Sequence, residues 1–132
     1  MPDSLAMSTS STSKITAQLV SVWRDEALTG AALAENAASS GWNLIFQRAR
    51  RFDEQDRSLG IDTYCLSNEA GLTSYGGISD WSIAGTELVL ALDEKVSGEL
   101  GLANEMRVAL AVSPVTIKEL GSALTEILAP TS

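Results

Sequence analysis

Four carboxylates stand close together in the segment FDEQDRSLGID: Asp53, Glu54, Asp56 and Asp62. Oxygen ligands of this kind bind Ca²⁺ or Mg²⁺, but their spacing does not fit the EF-hand calcium loop. Two carboxylates that share a cleft could instead act as a hydrolase pair. Because neighbouring side chains in a turn usually point into solvent, we interpret the segment as a surface turn in which Asp53 or Asp56 accepts hydrogen bonds from main-chain amides. A compatible interpretation places Asp53, Glu54 and Asp56 against basic groups of a partner.

The chain lacks the side chains on which most enzyme sites depend. It contains no histidine and a single cysteine, Cys65, so the usual serine and cysteine dyads and a structural zinc site are not available. Neither glycine-rich phosphate-binding motif occurs. We therefore predict no catalytic residue, no metal site and no cofactor, and we interpret Cys65 as a packed, unreactive thiol.

The composition is that of a single folded domain. The chain has 132 residues, of which 45% are apolar, and this suffices for a hydrophobic core. The N-terminal MPDSLAMSTSSTS has neither the cationic start nor the apolar block of a secretory signal. We predict a flexible leader over residues 1–13, one domain over residues 14–132, and, from the lone cysteine, a cytoplasmic location.

The charge of the chain is distributed unevenly. Residues 1–51 carry 4 acidic and 5 basic side chains, whereas residues 52–132 carry 13 acidic and 4 basic ones. An acidic field repels nucleic acid and membrane surfaces and favours a basic partner. The alternative is that the acidity serves solubility alone.

Hydrophobic periodicity predicts an antiparallel β-sheet of about six to seven strands with a C-terminal α-helix packed on one face, an α+β fold. The predicted strand segments are Lys14–Arg24, Leu28–Glu35, Trp42–Gln47, Asp62–Leu66, Leu72–Tyr75, the hairpin Ile78–Ala91, and Met106–Val112. The Ala-rich stretch 27–40 is compatible with strand or helix, and we interpret its first half as a strand. Lys14–Arg24 changes the face of its apolar residues part-way, which indicates either a bulge or a segment covered on both faces.

Two helices are predicted from their ends. Asp93 is a suitable N-cap for Glu94–Leu100, and Gly101 a suitable stop. Ser113 and Pro114 begin the C-terminal helix in the favoured order. Its apolar stripe requires an apolar sheet face; the stripe is Ile117, Leu120, Leu124, Ile127 and Leu128, and the candidate facing residues are Trp42, Leu44, Phe46, Trp81, Leu88 and Leu90.

The tripeptide Tyr75-Gly76-Gly77 has two interpretations. Two glycines permit a sharp bend where one strand passes to the next. Alternatively, Tyr75 is presented beside bare main chain as an anchor for a partner.

The ordered set of an aromatic residue, the DEQDRSLG turn, a short strand and YGG, from Phe52 to Ile78, resembles the immunity protein ten family of bacterial polymorphic toxin systems. The resemblance extends more loosely from Lys14 to the C-terminus, and the chain departs from the family pattern over 27–40 and in its Ser/Thr-rich leader. It implies an antidote that binds and blocks a cognate toxin rather than a catalyst. The residues predicted to bind the partner are Asp53, Glu54, Asp56, Asp62 and Tyr75.

We therefore predict a cytoplasmic immunity protein, a monomer or weak dimer, that occludes a toxin, for example a basic nuclease, and binds neither nucleic acid nor membrane. Two alternatives belong to other classes: a small hydrolase that uses the carboxylates of residues 53–62, and a structural or assembly subunit that associates through an open sheet edge.

Overall fold

The computed structural model describes residues 12–36, 38, 41–59 and 63–129. In these residues it contains nine strands and three helices. In chain order they are β1 (Thr12–Ala17), β2 (Leu19–Arg24), β3 (Leu28–Ala34), β4 (Asn43–Ala49), α1 (Glu54–Ser58), β5 (Cys65–Asn68), β6 (Thr73–Tyr75), β7 (Ile78–Ala84), β8 (Glu87–Leu92), α2 (Glu94–Leu100), β9 (Glu105–Leu110) and α3 (Pro114–Ile127). The first eleven residues of the predicted leader lie outside the described residues, and β1 begins at Thr12.

The strands form two sheets. One has four strands in the order β1-β9-β8-β7, and the other has five in the order β2-β3-β4-β5-β6. Strands β1 and β9 are parallel, while the other neighbours are antiparallel. The predicted α+β class with a C-terminal helix is confirmed, although the described strands number nine rather than six to seven and are divided between two sheets.

The apolar residues of Lys14–Arg24 change face because the chain passes from one sheet to the other within this segment. In β1, Ile15 and Ala17 point inward, and in β2 the inward positions are Val20 and Val22. Gln18 lies at the break, where its amide donates to the Ala34 carbonyl at 3.1 Å. One residue between the strands reverses the alternation, because side chains in a strand repeat every second residue. The predicted single strand is therefore wrong.

The Ala-rich segment supplies the strand on which the C-terminal helix packs. Strand β3 lies between β2 and β4 and turns Thr29, Ala31 and Leu33 inward. Helix α3 packs on β2, β3 and β4. A strand is thus confirmed for the first half of the segment.

Helix α3 begins as predicted. Ser113 is the N-cap, its hydroxyl accepts from the Thr116 amide at 3.2 Å, and Pro114 follows in the first turn. The helix buries Leu120, Leu124 and Ile127 completely. Helix α2 is confirmed in the same way, with Asp93 as N-cap and Gly101 in the left-handed conformation at its end.

The core is a continuous cluster of buried apolar side chains between the two sheets and α3. Its largest fully buried members are Phe46, Leu33, Leu44, Leu66, Leu88, Leu90, Leu120, Leu124, Ile127, Val96 and Val108. Trp42 and Trp81 are only partly buried and pack against this cluster. Trp23 lies outside it, with its ring over Gly30 of the neighbouring strand. The three tryptophans therefore lie at the periphery of the core.

An ion pair attaches α3 to the edge of the five-stranded sheet. The Arg24 guanidinium lies 2.7 Å from a Glu126 carboxylate oxygen, and the Thr29 hydroxyl donates to the other oxygen at 3.3 Å. The hydrogen bond from Arg24 is the main cause that lowers the pKa of Glu126. In the adjacent β2–β3 turn, main-chain amides of Leu28 and Ala27 donate to Asp25 and lower its pKa.

These lowered pKa values predict a loss of stability in acid. A carboxylate whose pKa is lower in the folded state contributes stability above its unfolded pKa, here 4.5 for Glu126 and 3.8 for Asp25, and loses it as the pH falls through the folded value. Melting temperatures should therefore be steady near neutral pH and fall below about pH 4. Because the ion pair is exposed, Glu126→Gln should cost less than about 1 kcal/mol at pH 7.

The measurement is a series of thermal melts from about pH 3 to about pH 7 for the parent, Glu126→Gln and Glu119→Gln. Glu119 is exposed on the same helix and serves as the matched control. The gap between the parent and Glu126→Gln should close in acid, and a gap that is independent of pH would contradict the assignment.

Candidate functional site

The acidic segment is a short capped helix rather than a turn. Asp53 is the N-cap of α1, and its Oδ1 accepts from the Asp56 amide at 2.8 Å. Asp56 Oδ2 accepts in return from the Asp53 amide at 3.0 Å. This reciprocal capping box satisfies two amides that a helix end leaves without partners. The segment thus uses both carboxylates for its own structure, in agreement with the predicted hydrogen bonds to main-chain amides.

The four predicted carboxylates therefore differ in their environment. Asp53 and Glu54 are exposed and Asp56 is half-buried, while Asp62 lies outside the described residues. Among the residues that the structure describes, no group of three or more Asp, Glu, Cys or His side chains could hold a metal ion.

A groove on the outer face of the five-stranded sheet brings two of the predicted residues together. It is a cavity of about 330 Å³ beside α1, and Asp56 and Tyr75 both line it. Its walls are mainly apolar, and the complete lining is Ala27, Leu28, Gln47, Ala49, Phe52, Asp56, Thr63, Cys65 and Tyr75. We call this cavity the groove. The acidic segment and the YGG tripeptide, which are about twenty residues apart in sequence, thus meet at one surface.

The floor of the groove follows from strand register. Gln47 pairs with Cys65, and Cys65 pairs with Tyr75, so these three side chains form a row across β4, β5 and β6. Their strand neighbours Phe46, Leu66 and Ser74 form the opposite row and are buried. Alternation of faces along each strand therefore leaves one row for the core and one for the groove.

The groove has walls suited to binding. Tyr75 remains 41% exposed, and Phe52 is partly buried against the cavity. Cys65 is partly buried at the groove rather than in the core, and this burial raises the pKa of its thiol, so that it stays protonated at neutral pH. A partly exposed aromatic pair, a neutral thiol and a half-buried carboxylate can accept an apolar side chain of a partner with a polar group beside it.

The two glycines after Tyr75 fix its position. Gly76 and Gly77 have φ angles of 70° and 92°, where the chain crosses from the five-stranded to the four-stranded sheet. The buried Tyr64 holds this crossing, because its hydroxyl accepts from the Ile78 amide at 2.8 Å and its carbonyl accepts from the Gly76 amide at 3.0 Å. The geometric interpretation of the glycines is confirmed. The alternative interpretation, that Tyr75 anchors a partner, is compatible with this geometry.

Most of the groove could not be found as a site in the sequence. Leu28, Ala49 and Cys65 carry no motif, and only their place in the sheet register brings them to this face. Thr63 lies in the bend before β5. Phe52 could be recognised from the sequence, because it is an aromatic residue directly before the capping box. A hydrophobic residue at this position commonly packs against its own helix, and here it contributes to the groove.

The chain matches the model of a known protein family. A model of the family described as Immunity protein 10 matches residues 16–118. That range is most of the chain, and it contains α1, the groove and the YGG crossing. The chain belongs to the immunity protein 10 family. No curated protein matches the chain.

Family membership supports an immunity role and implies a toxin partner for this immunity protein. Among its described residues there is no helix with the length and apolar character needed to cross a membrane. Of the residues predicted for partner binding, Asp56 and Tyr75 line the groove. Asp53 and Glu54 lie beside Asp56 in α1 and its cap, and Asp62 lies outside the described residues.

Proposed function

We propose that this immunity protein neutralises a cognate toxin by binding over the toxin's functional surface, without catalysis. The observation that carries the proposal is the groove, where Asp56 of the acidic segment and Tyr75 of the YGG tripeptide line one cavity. Occlusion needs shape and charge complementarity and no reacting groups. The absence of histidine from the sequence and the use of Asp53 and Asp56 in a capping box agree with such a role and count against the carboxylate hydrolase.

Tyr75 and Phe52 are the proposed anchors. Binding energy in protein interfaces concentrates in a few partly exposed aromatic residues that fill or form pockets. Both aromatic side chains border a mainly apolar cavity on the outer face of the sheet, so burial of a partner side chain between them removes apolar surface from water on both proteins. The main chain beneath Tyr75 is held by Tyr64, which reduces the entropy lost on binding.

The acidic residues supply attraction at longer range. Glu54 is exposed in the first turn of α1, next to the groove residue Asp56. The excess of carboxylates over residues 52–132 would speed encounter with a basic toxin, a nuclease for example, and the gain would shrink as salt screens it. The proposal includes a cytoplasmic monomer or weak dimer that has no cofactor and binds neither nucleic acid nor membrane; Asp62 remains a predicted member of the partner-binding set.

The test uses Tyr75→Ala and Glu54→Lys. Tyr75→Ala should weaken binding by about 10-fold or more, because it removes an aromatic anchor. Glu54→Lys should mainly slow association and flatten its dependence on salt, since the residue acts at the rim. Both should melt like the parent because neither residue is buried. The measurements are cell protection and binding kinetics with the cognate toxin domain.

The controls take account of the capping box and the ion pair. Asp53→Lys and Asp56→Lys would remove the reciprocal hydrogen bonds of α1, so loss of binding in those variants would not separate charge from folding. Glu126 is paired with Arg24 and is equally unsuitable. Glu119→Lys makes the same charge change on the exposed face of α3 and should leave protection nearly unchanged. Full protection by both test variants would show that the groove is not the binding surface.

A further inference from the structure

A second cavity, lined by arginine side chains, adjoins the groove at the end of β4. It has a volume of about 210 Å³ and is lined by Thr29, Arg48, Ala49, Arg50 and Glu126. We call it the arginine pocket. Ala49 lines both cavities, and the Arg48 guanidinium lies 6.0 Å from the centre of the Phe52 ring in the groove. The arginine pocket lies on the α3 side of the sheet, where Thr29 is turned inward, and it meets the groove at Ala49. A partner that contacts both cavities would therefore bind around the end of β4.

The guanidinium groups of this pocket are held mainly by main-chain oxygens. Arg50 Nε donates to the Asp25 carbonyl at 2.5 Å, and Arg48 Nη1 donates to the carbonyls of Ile127 and Ala129. The ion pairs found among the described residues include neither Arg48 nor Arg50. Their charges are oriented but are not neutralised by a directly bound carboxylate.

The carboxylates near the pocket are already engaged. Glu126 is bound by Arg24 and Thr29, and Asp25 accepts from the amides of Ala27 and Leu28. The charged side chains that line the pocket are Arg48, Arg50 and Glu126, and Glu126 is already bound by Arg24. The lining is therefore locally positive in a chain whose net charge is −8. Arg50 is exposed, and its terminal nitrogens can form the forked pair of hydrogen bonds that a carboxylate accepts.

We propose that the arginine pocket binds a carboxylate side chain of the same toxin that occupies the groove. This inference rests on the proposed function and specifies one chemical group of the partner, a carboxylate. The toxin would present an apolar side chain to the groove, basic groups toward Glu54, and an Asp or Glu toward Arg50. A protein carboxylate is favoured over a nucleic-acid phosphate, because the acidic surface of the rest of the chain repels a polyanion.

The sign of one effect separates this proposal from general attraction between an acidic protein and a basic toxin. Under general attraction alone, removal of a positive charge from the antidote makes it more acidic and should speed association. If Arg50 binds a carboxylate, the same removal should weaken binding and speed dissociation. The two mechanisms thus predict opposite outcomes for a single substitution.

The experiment measures binding of Arg50→Gln to an inactive variant of the cognate toxin domain, at low and at moderate salt. We expect a dissociation constant about 10- to 100-fold larger, as for truncation of one partner of a charge pair at an interface. Arg50→Lys should restore only part of the loss, since an ammonium lacks the fork. Lys118→Gln makes the same charge change on exposed α3 and should bind like the parent or slightly better. A melt of each variant checks that the β2–β3 turn persists without the bond to Asp25.

Unchanged or tighter binding by Arg50→Gln would overturn the arginine pocket. If Tyr75→Ala still weakened binding, the groove would stand. If the parent protein did not bind the toxin domain, both the proposed function and the arginine pocket would be contradicted. Binding of a single-stranded oligonucleotide by the parent and its loss in Arg50→Gln would assign the pocket to phosphate and contradict the carboxylate.

Discussion

Leu124→Ala is expected to lower the free energy of unfolding by about 2–5 kcal/mol, because it removes a fully buried side chain from the contact between α3 and the five-stranded sheet. Leu120 and Ile127, its neighbours on the same stripe, are also fully buried. The surroundings of Leu124 are therefore close-packed and cannot collapse freely into the space. Part of the loss is transfer free energy and part is the residual cavity.

The measurement is urea unfolding of Leu124→Ala against the parent, with Val115→Ala as control. Val115 lies in the first turn of the same helix and is 70% exposed, so its truncation should cost less than about 0.5 kcal/mol. A loss of that small size for Leu124→Ala would mean that α3 does not pack as described. Leu124 makes no contribution to the groove, so protection at low temperature should persist in a variant that still folds.

The elements that the sequence predicts well are those with local signals. Ser113 followed by Pro114 marks the start of α3, and Asp93 with Gly101 marks both ends of α2. These signals depend on hydrogen bonds within a single turn of chain, so they need no knowledge of the rest of the fold.

The two-sheet arrangement depends on contacts that are distant in sequence. The residues of Lys14–Arg24 show a change of face, but the pattern alone does not distinguish a bulge from a passage between sheets. The distinction comes from pairing, since β1 pairs with β9 near the C-terminus and β2 pairs with β3. The short helix α1 was also missed, because five residues are too few for a helical period, although the Asp53–Asp56 spacing of a capping box was present.

In the candidate site, too, some residues have local sequence signals and others come together only through contacts distant in sequence. Tyr75 and Asp56 belong to motifs that are visible in sequence, whereas the floor of the groove is formed by Cys65 and Gln47 through strand register. Arg48 and Arg50 donate to main-chain carbonyls. Arg48 contacts the end of α3, about eighty residues later in the chain, and no local sequence pattern predicts that contact.

Gly77→Ala is the second substitution for which we expect a large effect. Gly77 has a φ of 92°, a conformation that residues with a Cβ rarely adopt. A Cβ at this position would also overlap Val96 Cγ2 and approach Asp93 Oδ1 to 3.1 Å. Val96 is fully buried in the first turn of α2, so it cannot move aside without disturbing the core.

The expected cost combines two terms. The strained main chain contributes about 1–3 kcal/mol, and the overlap with Val96 contributes about 1–3 kcal/mol more, as for an overpacked core. Displacement of α2 would also strain the hydrogen bond from the Asp93 amide to the Gly77 carbonyl, which is 2.9 Å long. Because Gly77 lies two residues after Tyr75, the change should also shift the wall of the groove and reduce protection.

Gly76→Ala is the matched control. Gly76 has a similar φ of 70°, but a Cβ there would meet nothing closer than Thr63 Cγ2 at 3.8 Å. Its substitution should therefore cost only the main-chain strain, about 1–2 kcal/mol. In a Val96→Ala background, which removes the overlapping methyl, the penalty of Gly77→Ala should shrink toward that of Gly76→Ala. Urea unfolding of the four single and double variants measures this coupling. Equal losses for Gly76→Ala and Gly77→Ala would mean that main-chain conformation alone, and not the close approach of α2, requires glycine at the crossing between the sheets.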